Sequence, residues 1–215
     1  MSTGPLRPHL EALSSEGLAA LRQHAPAAGA EGFHLAGDNA LALQLGHRRS
    51  ADFDWFRRVW TFDPLVLSRA LTSRGVDLEV QSTVQGTLHG SVNGVRVSFL
   101  AYDHPLLEPL LRWPELDCEL AAPADIAAMK LAAIAQRGAK KDFFDLAALG
   151  QSGSSLPAML DAYRRKYAIS DVAHVVTALT WFEDAEREPE PMLQAKSSWD
   201  EVKRTIRAWV REFAG

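Results

Sequence analysis

One cysteine is all this 215-residue chain holds. No internal disulfide can form, so the fold must rest on its core. Cys118 lies in the alternating run Leu116 to Leu120, which suits a small buried side chain better than a reactive thiol. A reducing, cytoplasmic setting is expected. Uncharged apolar stretches of eighteen residues are missing too, which argues against a transmembrane helix. The opening Met1 to Pro8 lacks the basic-then-apolar order of a secretory signal. Nor is there a basic excess: 23 Lys and Arg against 27 Asp and Glu give a net charge of −4. Proteins that coat nucleic acid are usually basic, so any RNA or DNA contact requires a local basic face.

What is present divides in two. Up to about residue 121, helix-like and strand-like segments alternate. Leu10, Leu13, Leu18 and Leu21 recur at near-helical spacing and predict a first amphipathic helix. Gly32 to Ala36 reads as a strand, and Asp38 is placed to cap a helix over Ala40 to Leu45. After Gly46 to Ser50, the run Ala51 to Phe56 alternates like a strand. Asp63-Pro64 opens a helix that Gly75 ends. Val76 to Val84 and Gly86 to Leu100 read as strands, with Asn93-Gly94 a hairpin turn. Pro105, Pro109 and Pro114 mark an irregular stretch, and Leu116 to Leu120 a short strand. From residue 122 onward the pattern is helical: Asp125 to Arg137, Lys141 to Leu149, Leu156 to Tyr167, Asp171 to Ala185 and Trp199 to Phe213. Ser198 and Glu201 suit a capping box on the last of these. Gly150 to Ser155 and Pro189 to Pro191 read as loops. The order predicts an α+β fold, a mixed-sheet core over 1–121 with a helical C-terminal lobe over 122–215.

The chemistry concentrates in Leu35 to Phe56, LAGDNALALQLGHRRSADFDWF. Alternation puts Phe53 and Trp55 on one face of the strand and Asp52 and Asp54 on the other. Two carboxylates that close repel unless cations lie between them, and oxygen-only ligands suit Mg²⁺. Two such ions activate an attacking hydroxyl and stabilise a leaving pyrophosphate. D-x-D alone, a short and common pattern, reads more simply as an edge strand with an acidic solvent face. A glycine turn at Gly37 and the intervening His47-Arg48-Arg49-Ser50 add to it. Arg48 and its neighbours could pair with Asp52 or Asp54, or contact phosphate. His47 has no second histidine at metal-ligand spacing. In Asp125 to Leu149, Lys130 and Arg137 stand two helical turns apart and share a face; Lys141 joins it only if Gly138 leaves the helix intact. Such a row suits a triphosphate, or simply a solvated helix face.

Gly37 followed by Asp52-Phe53-Asp54-Trp55 resembles the DNA polymerase β-like nucleotidyltransferases. More narrowly, the segment is similar to the AbiEii/AbiGii toxin branch, and Lys130, Arg137 and Lys141-Asp142-Phe143-Phe144-Asp145 stand where that branch carries its later basic and acidic motif. The resemblance implies that Asp52 and Asp54 are the catalytic, metal-binding carboxylates for Mg²⁺ or Mn²⁺. It also implies that Gly37, Asn39, Arg48, Lys130 and Arg137 help hold the nucleotide. The implied reaction moves a nucleoside monophosphate from an NTP to an acceptor hydroxyl on RNA, such as a tRNA end, by a toxin with a cognate antitoxin.

The chain departs from the pattern at Asp38 and Asn39, where a glycine and a small hydroxyl residue are usual. An aspartate beside a triphosphate repels it. Val95 to Leu100 should carry a third carboxylate and offers Ser98 instead; Asp77 and Glu79 are the nearest acids and read as a solvated strand face. Asp142 and Asp145 are open to organising the site, capping a helix or pairing with Arg137. Two other readings follow. One is a catalytically degenerate module that binds nucleotide, RNA or a protein partner without turnover. The other is a transferase acting on a protein side chain or small alcohol.

Overall fold

The computed structural model describes residues 7–194 and 196–215, so most of the opening segment tested for a secretory signal lies outside the described residues. By its contacts the chain forms two units, Met1–Ala122 and Pro123–Gly215. Among the described residues no helix is long and apolar enough to cross a membrane.

The first unit is a mixed sheet with helices. Its strands are β1 His34–Ala36, β2 Phe53–Arg57, β3 Leu78–Val84, β4 Thr87–Val92, β5 Val95–Ala101, β6 Leu111–Trp113 and β7 Cys118–Leu120, and its helices are α1 Ser15–Ala30, α2 Gly37–Leu45 and α3 Pro64–Ser73. The strand order is β3-β4-β5-β2-β1-β7-β6. β2 runs parallel to β5 and β1 parallel to β7, while the remaining pairs are antiparallel. One face of the sheet is the core: Phe53, Trp55, Leu88, Val97 and Phe99 are almost wholly buried. His24 of α1 packs against Phe53 and Trp55 from that side. Burying each of these large apolar side chains contributes about 1.5–3 kcal/mol relative to leaving it in water.

Several local expectations needed correction. Leu10 does not share a helix with Leu21. A 3-10 turn, Leu10–Ala12, comes first, and Ser14, whose side chain accepts from the Gly17 amide, starts α1 afresh. Asp38 is not a cap: α2 begins one residue earlier, at Gly37, with no side-chain cap. Asp63 does cap α3, accepting from the amides of Leu65 and Val66. The proline-marked stretch holds β6, which pairs with β7; a strand of three residues is too short to show a period. Cys118 is buried, and burial pushes its thiol up to about 12, with Asp117 and Glu119 adding to the effect.

The second unit is helical: α4 Pro123–Arg137, α5 Lys140–Gln151, α6 Leu156–Tyr167, α7 Ala173–Ala178, α8 Glu183–Glu186 and α9 Trp199–Ala214. Gly138, at φ +59°, separates α4 from α5, so Lys141 is not on the helix of Lys130 and Arg137. The expected helix from Asp171 to Ala185 is split. The Thr180 hydroxyl turns back onto the Thr177 carbonyl, and Phe182 enters the core against Phe143 and Trp199. A hydroxyl that bonds a preceding carbonyl competes with the helix ladder. The capping box of Ser198 and Glu201 is present at the start of α9.

Candidate functional site

Parallel pairing of β2 and β5 sets the geometry of the acidic pair. Asp54 is in register with Ser98, and Phe53 with Val97. Side chains in register lie on one side of a sheet, so Asp54 and Ser98 share the face opposite the apolar core. Asp52 precedes β2 by one residue and continues the same alternation. Arg96, two residues before Ser98, reaches it: Nε donates to Asp52 Oδ1 at 3.0 Å and Nη2 to Oδ2 at 2.6 Å. Both side chains are open to solvent, Arg96 at 70% and Asp52 at 40%. Beyond Ser98, His89 of β4 places Nδ1 3.0 Å from the Ser98 hydroxyl. Two rows thus cross the open face, Asp52 with Arg96, and Asp54 with Ser98 and His89.

The turn between β1 and α2 closes the other side. Ala36 pairs with Asp54 across β1 and β2, so the next residue, Gly37, stands over the carboxylate. Gly37 has φ +67°, and a Cβ built there would lie 3.4 Å from Asp54 Oδ2. The missing side chain leaves space beside a carboxylate oxygen, and only glycine enters that backbone region without cost.

Asn39 and Arg48, which the resemblance assigned to holding the nucleotide, are both buried beside this turn. Asn39 is fully buried, and its Nδ2 donates to the Asp52 carbonyl. It fixes the backbone of the metal-ligand candidate from beneath. Arg48 is also buried, and its expected partners were Asp52 or Asp54. Among its contacts, Nη2 lies 3.3 Å from Asp38 Oδ2, and Nη1 donates to the Arg49 carbonyl. The pair sets a positive charge against Asp38, the residue whose charge should repel a triphosphate.

No third carboxylate stands beside Asp54 on β5. Glu79 is on β3, three strands from β2 in the sheet order, which at sheet spacing is about 14 Å. It accepts instead from the Ser91 hydroxyl at 3.0 Å. Asp77 precedes β3 and is exposed. The donor set that remains, two carboxylates with space beside one of them, is hard and oxygen-only. It fits Mg²⁺ or Mn²⁺ sharing its shell with water and phosphate.

The second unit holds its own charged cluster. Lys130 of α4 is buried, with Nζ 2.9 Å from Asp142 and 2.5 Å from Asp145, both aspartates fully buried on α5. Arg137, at the exposed end of α4, lies 3.0 Å from Asp142. Lys130 is therefore not on a solvated helix face. Asp142 thus pairs with Arg137, one of the roles open to it from sequence, and with Lys130 as well. A second buried pair, Lys166 with Asp125 at 2.7 Å, ties α6 to α4. Arg96 and His89 were not singled out from sequence. Alternation in VRVSFL gives the face on which Arg96 points, but not what it meets.

Comparison with known proteins places these features. The family model for the nucleotidyl transferase AbiEii toxin, type IV toxin–antitoxin system, matches residues 67–212. That span takes in Arg96, Ser98, Lys130 and Arg137 and starts after Asp52 and Asp54. The uncharacterized protein aq_aa25 of Aquifex aeolicus is 37% identical over 186 residues, 84% of this chain and 87% of that protein. Two Helicobacter pylori crystal structures share the fold at 15% identity each. One, of a protein assigned as a nucleotidyltransferase, has TM-score 0.56 and covers 93% of this chain and 95% of its own. The other, JHP933, has TM-score 0.54 with 93% and 92% covered. With a matching family model over most of its length and a nucleotidyltransferase-type α+β fold, the chain belongs to the AbiEii nucleotidyl transferase toxin family.

Proposed function

We propose that the chain transfers a nucleoside monophosphate from an NTP to an acceptor hydroxyl, with Asp52 and Asp54 as metal-binding carboxylates. The observation that carries this reading is the Gly37 turn, which leaves open space at Asp54 Oδ2 on the face Asp54 shares with Asp52. Bound Mg²⁺ or Mn²⁺ would supply Lewis-acid stabilisation of the phosphate charge. The acceptor oxygen bonds to the α-phosphorus, the bond to the bridging oxygen breaks, pyrophosphate leaves and the hydroxyl proton passes to solvent. Asn39 holds the Asp52 backbone in place, and Arg48 balances Asp38 so that the triphosphate meets less repulsion.

Membership of the toxin family supports RNA, including a tRNA end, as the acceptor, a cognate antitoxin as partner and a cytoplasmic site of action. The net charge of −4 means that acceptor binding depends on local cations rather than on long-range attraction.

A second reading is a degenerate module that binds nucleotide, RNA or a protein partner without turnover. Ser98 in the place of a third carboxylate favours it. Transfer of label from each α-labelled NTP to total RNA or to protein, with Mg²⁺ or Mn²⁺, separates the two. Labelled RNA that disappears with Asp52→Ala/Asp54→Ala is the expected result. Label on protein alone moves the acceptor to a side chain. No label from any donor, despite metal-dependent nucleotide binding, leaves the binding module.

A further inference from the structure

The Asp52–Arg96 pair occupies both oxygens of a carboxylate that the proposed function needs for metal. Asp52 continues β2 opposite Arg96 of β5, on the same face, so the approach follows from strand register. The fork geometry is bidentate, at 3.0 and 2.6 Å. A guanidinium so placed neutralises Asp52 where a divalent cation would otherwise do so. Metal and arginine cannot both take the same two lone-pair directions. Arg96 is largely exposed and carries a long side chain, so little holds it once Asp52 has another partner.

We infer that Arg96 is a place-holding counter-ion that the metal displaces and that, on release, binds a phosphate group of the donor triphosphate at the same site. This rests on Asp52 and Asp54 being the metal ligands. The arginine serves two states. Without metal it balances the charge of Asp52, which would otherwise add to that of Asp54 on one face. With metal and nucleotide it faces an anion, and a guanidinium matches phosphate oxygens as well as it matches a carboxylate. Lysine would make a poorer substitute in both states, since it offers a point charge in place of a fork.

The test is Mn²⁺ titration by calorimetry or by electron paramagnetic resonance, with no turnover needed. Arg96→Ala is expected to bind Mn²⁺ about threefold to fivefold tighter than wild type, since a competing cation is gone. In an Asp52→Ala background the same substitution should leave Mn²⁺ affinity unchanged, because the competition runs through Asp52. At saturating Mn²⁺, Arg96→Ala should bind a non-hydrolysable triphosphate about tenfold more weakly, and Arg96→Lys should fall between. Equal or weaker Mn²⁺ binding by Arg96→Ala overturns the place-holder role. Undiminished triphosphate affinity overturns the phosphate role. Equal Mn²⁺ binding by wild type and Asp52→Ala/Asp54→Ala overturns the metal site itself, and the inference with it.

Discussion

His24 stands edge-on to Trp55, ring centroids 5.6 Å apart at an interplanar angle of 83°, on the core side of the strand whose open face carries Asp54. Its Nδ1 donates to the Ala20 carbonyl at 2.6 Å, while Nε2 is buried without a hydrogen-bond partner. Burial pushes the imidazole down to about 4, the bond to Ala20 working against that shift.

The pH dependence of stability follows. An unfolded histidine takes up a proton near 6.5, while His24 in the fold does so only near 4. Between these values the unfolded chain binds more protons, so stability falls as pH drops from about 6.5 to about 4 and levels off below. The full loss is about 3 kcal/mol. Denaturant unfolding of wild type and His24→Leu across this range should show a markedly flatter curve in the variant. Equal slopes would remove His24 as the cause.

Gly37→Ala tests the turn beside Asp54. A positive φ costs a non-glycine residue about 1–2 kcal/mol, and the new Cβ would fill the space next to Oδ2. The variant should lose that much stability and should also bind Mn²⁺ more weakly. A loss of stability with metal affinity intact would make the glycine purely a backbone requirement.

The Asp38–Arg48 pair tests charge balance at the start of α2. Arg48 is almost wholly buried and Asp38 nearly so. Arg48→Met removes a buried cation beside Asp38 and should be destabilising in chemical denaturation. Adding Asp38→Asn should recover much of that loss. Additive losses in the double variant would show that the two residues act independently.

Lys130 and Arg137 were read from sequence as one row of cations, yet they should respond differently to substitution. Lys130→Met removes the buried cation that Asp142 and Asp145 share and should destabilise by about 3–5 kcal/mol. Arg137→Met removes a half-exposed partner of Asp142, at about 1 kcal/mol. Thermal or denaturant unfolding of the two variants decides it, and equal losses would contradict the burial difference.

Short-range chemistry was legible in the sequence. The cap at Asp63 and the box at Ser198 and Glu201 need only neighbours a turn away. The alternation through Asp52-Phe53-Asp54-Trp55 gave the faces of β2 because side-chain direction in a strand has period 2. The split of Asp171 to Ala185 was hidden, because its cause is Phe182 reaching Phe143 and Trp199 on other helices. The helix start at Gly37 was hidden for a related reason: Asp38 suits a cap by composition, but Arg48 engages it as an ion-pair partner.

By itself, then, the sequence determined the order of elements, the α+β character and the face on which the two aspartates stand, since each depends on backbone geometry over a few residues. Only the tertiary structure decided which charges meet. Strand order carries Arg96 to Asp52 and keeps Glu79 three strands from Asp54, and the burial of α4 against α5 turns Lys130 from a surface cation into the partner of Asp142 and Asp145. Opposite charges far apart in sequence attract whichever partner the packing brings near, and packing is set by the whole core rather than by local spacing.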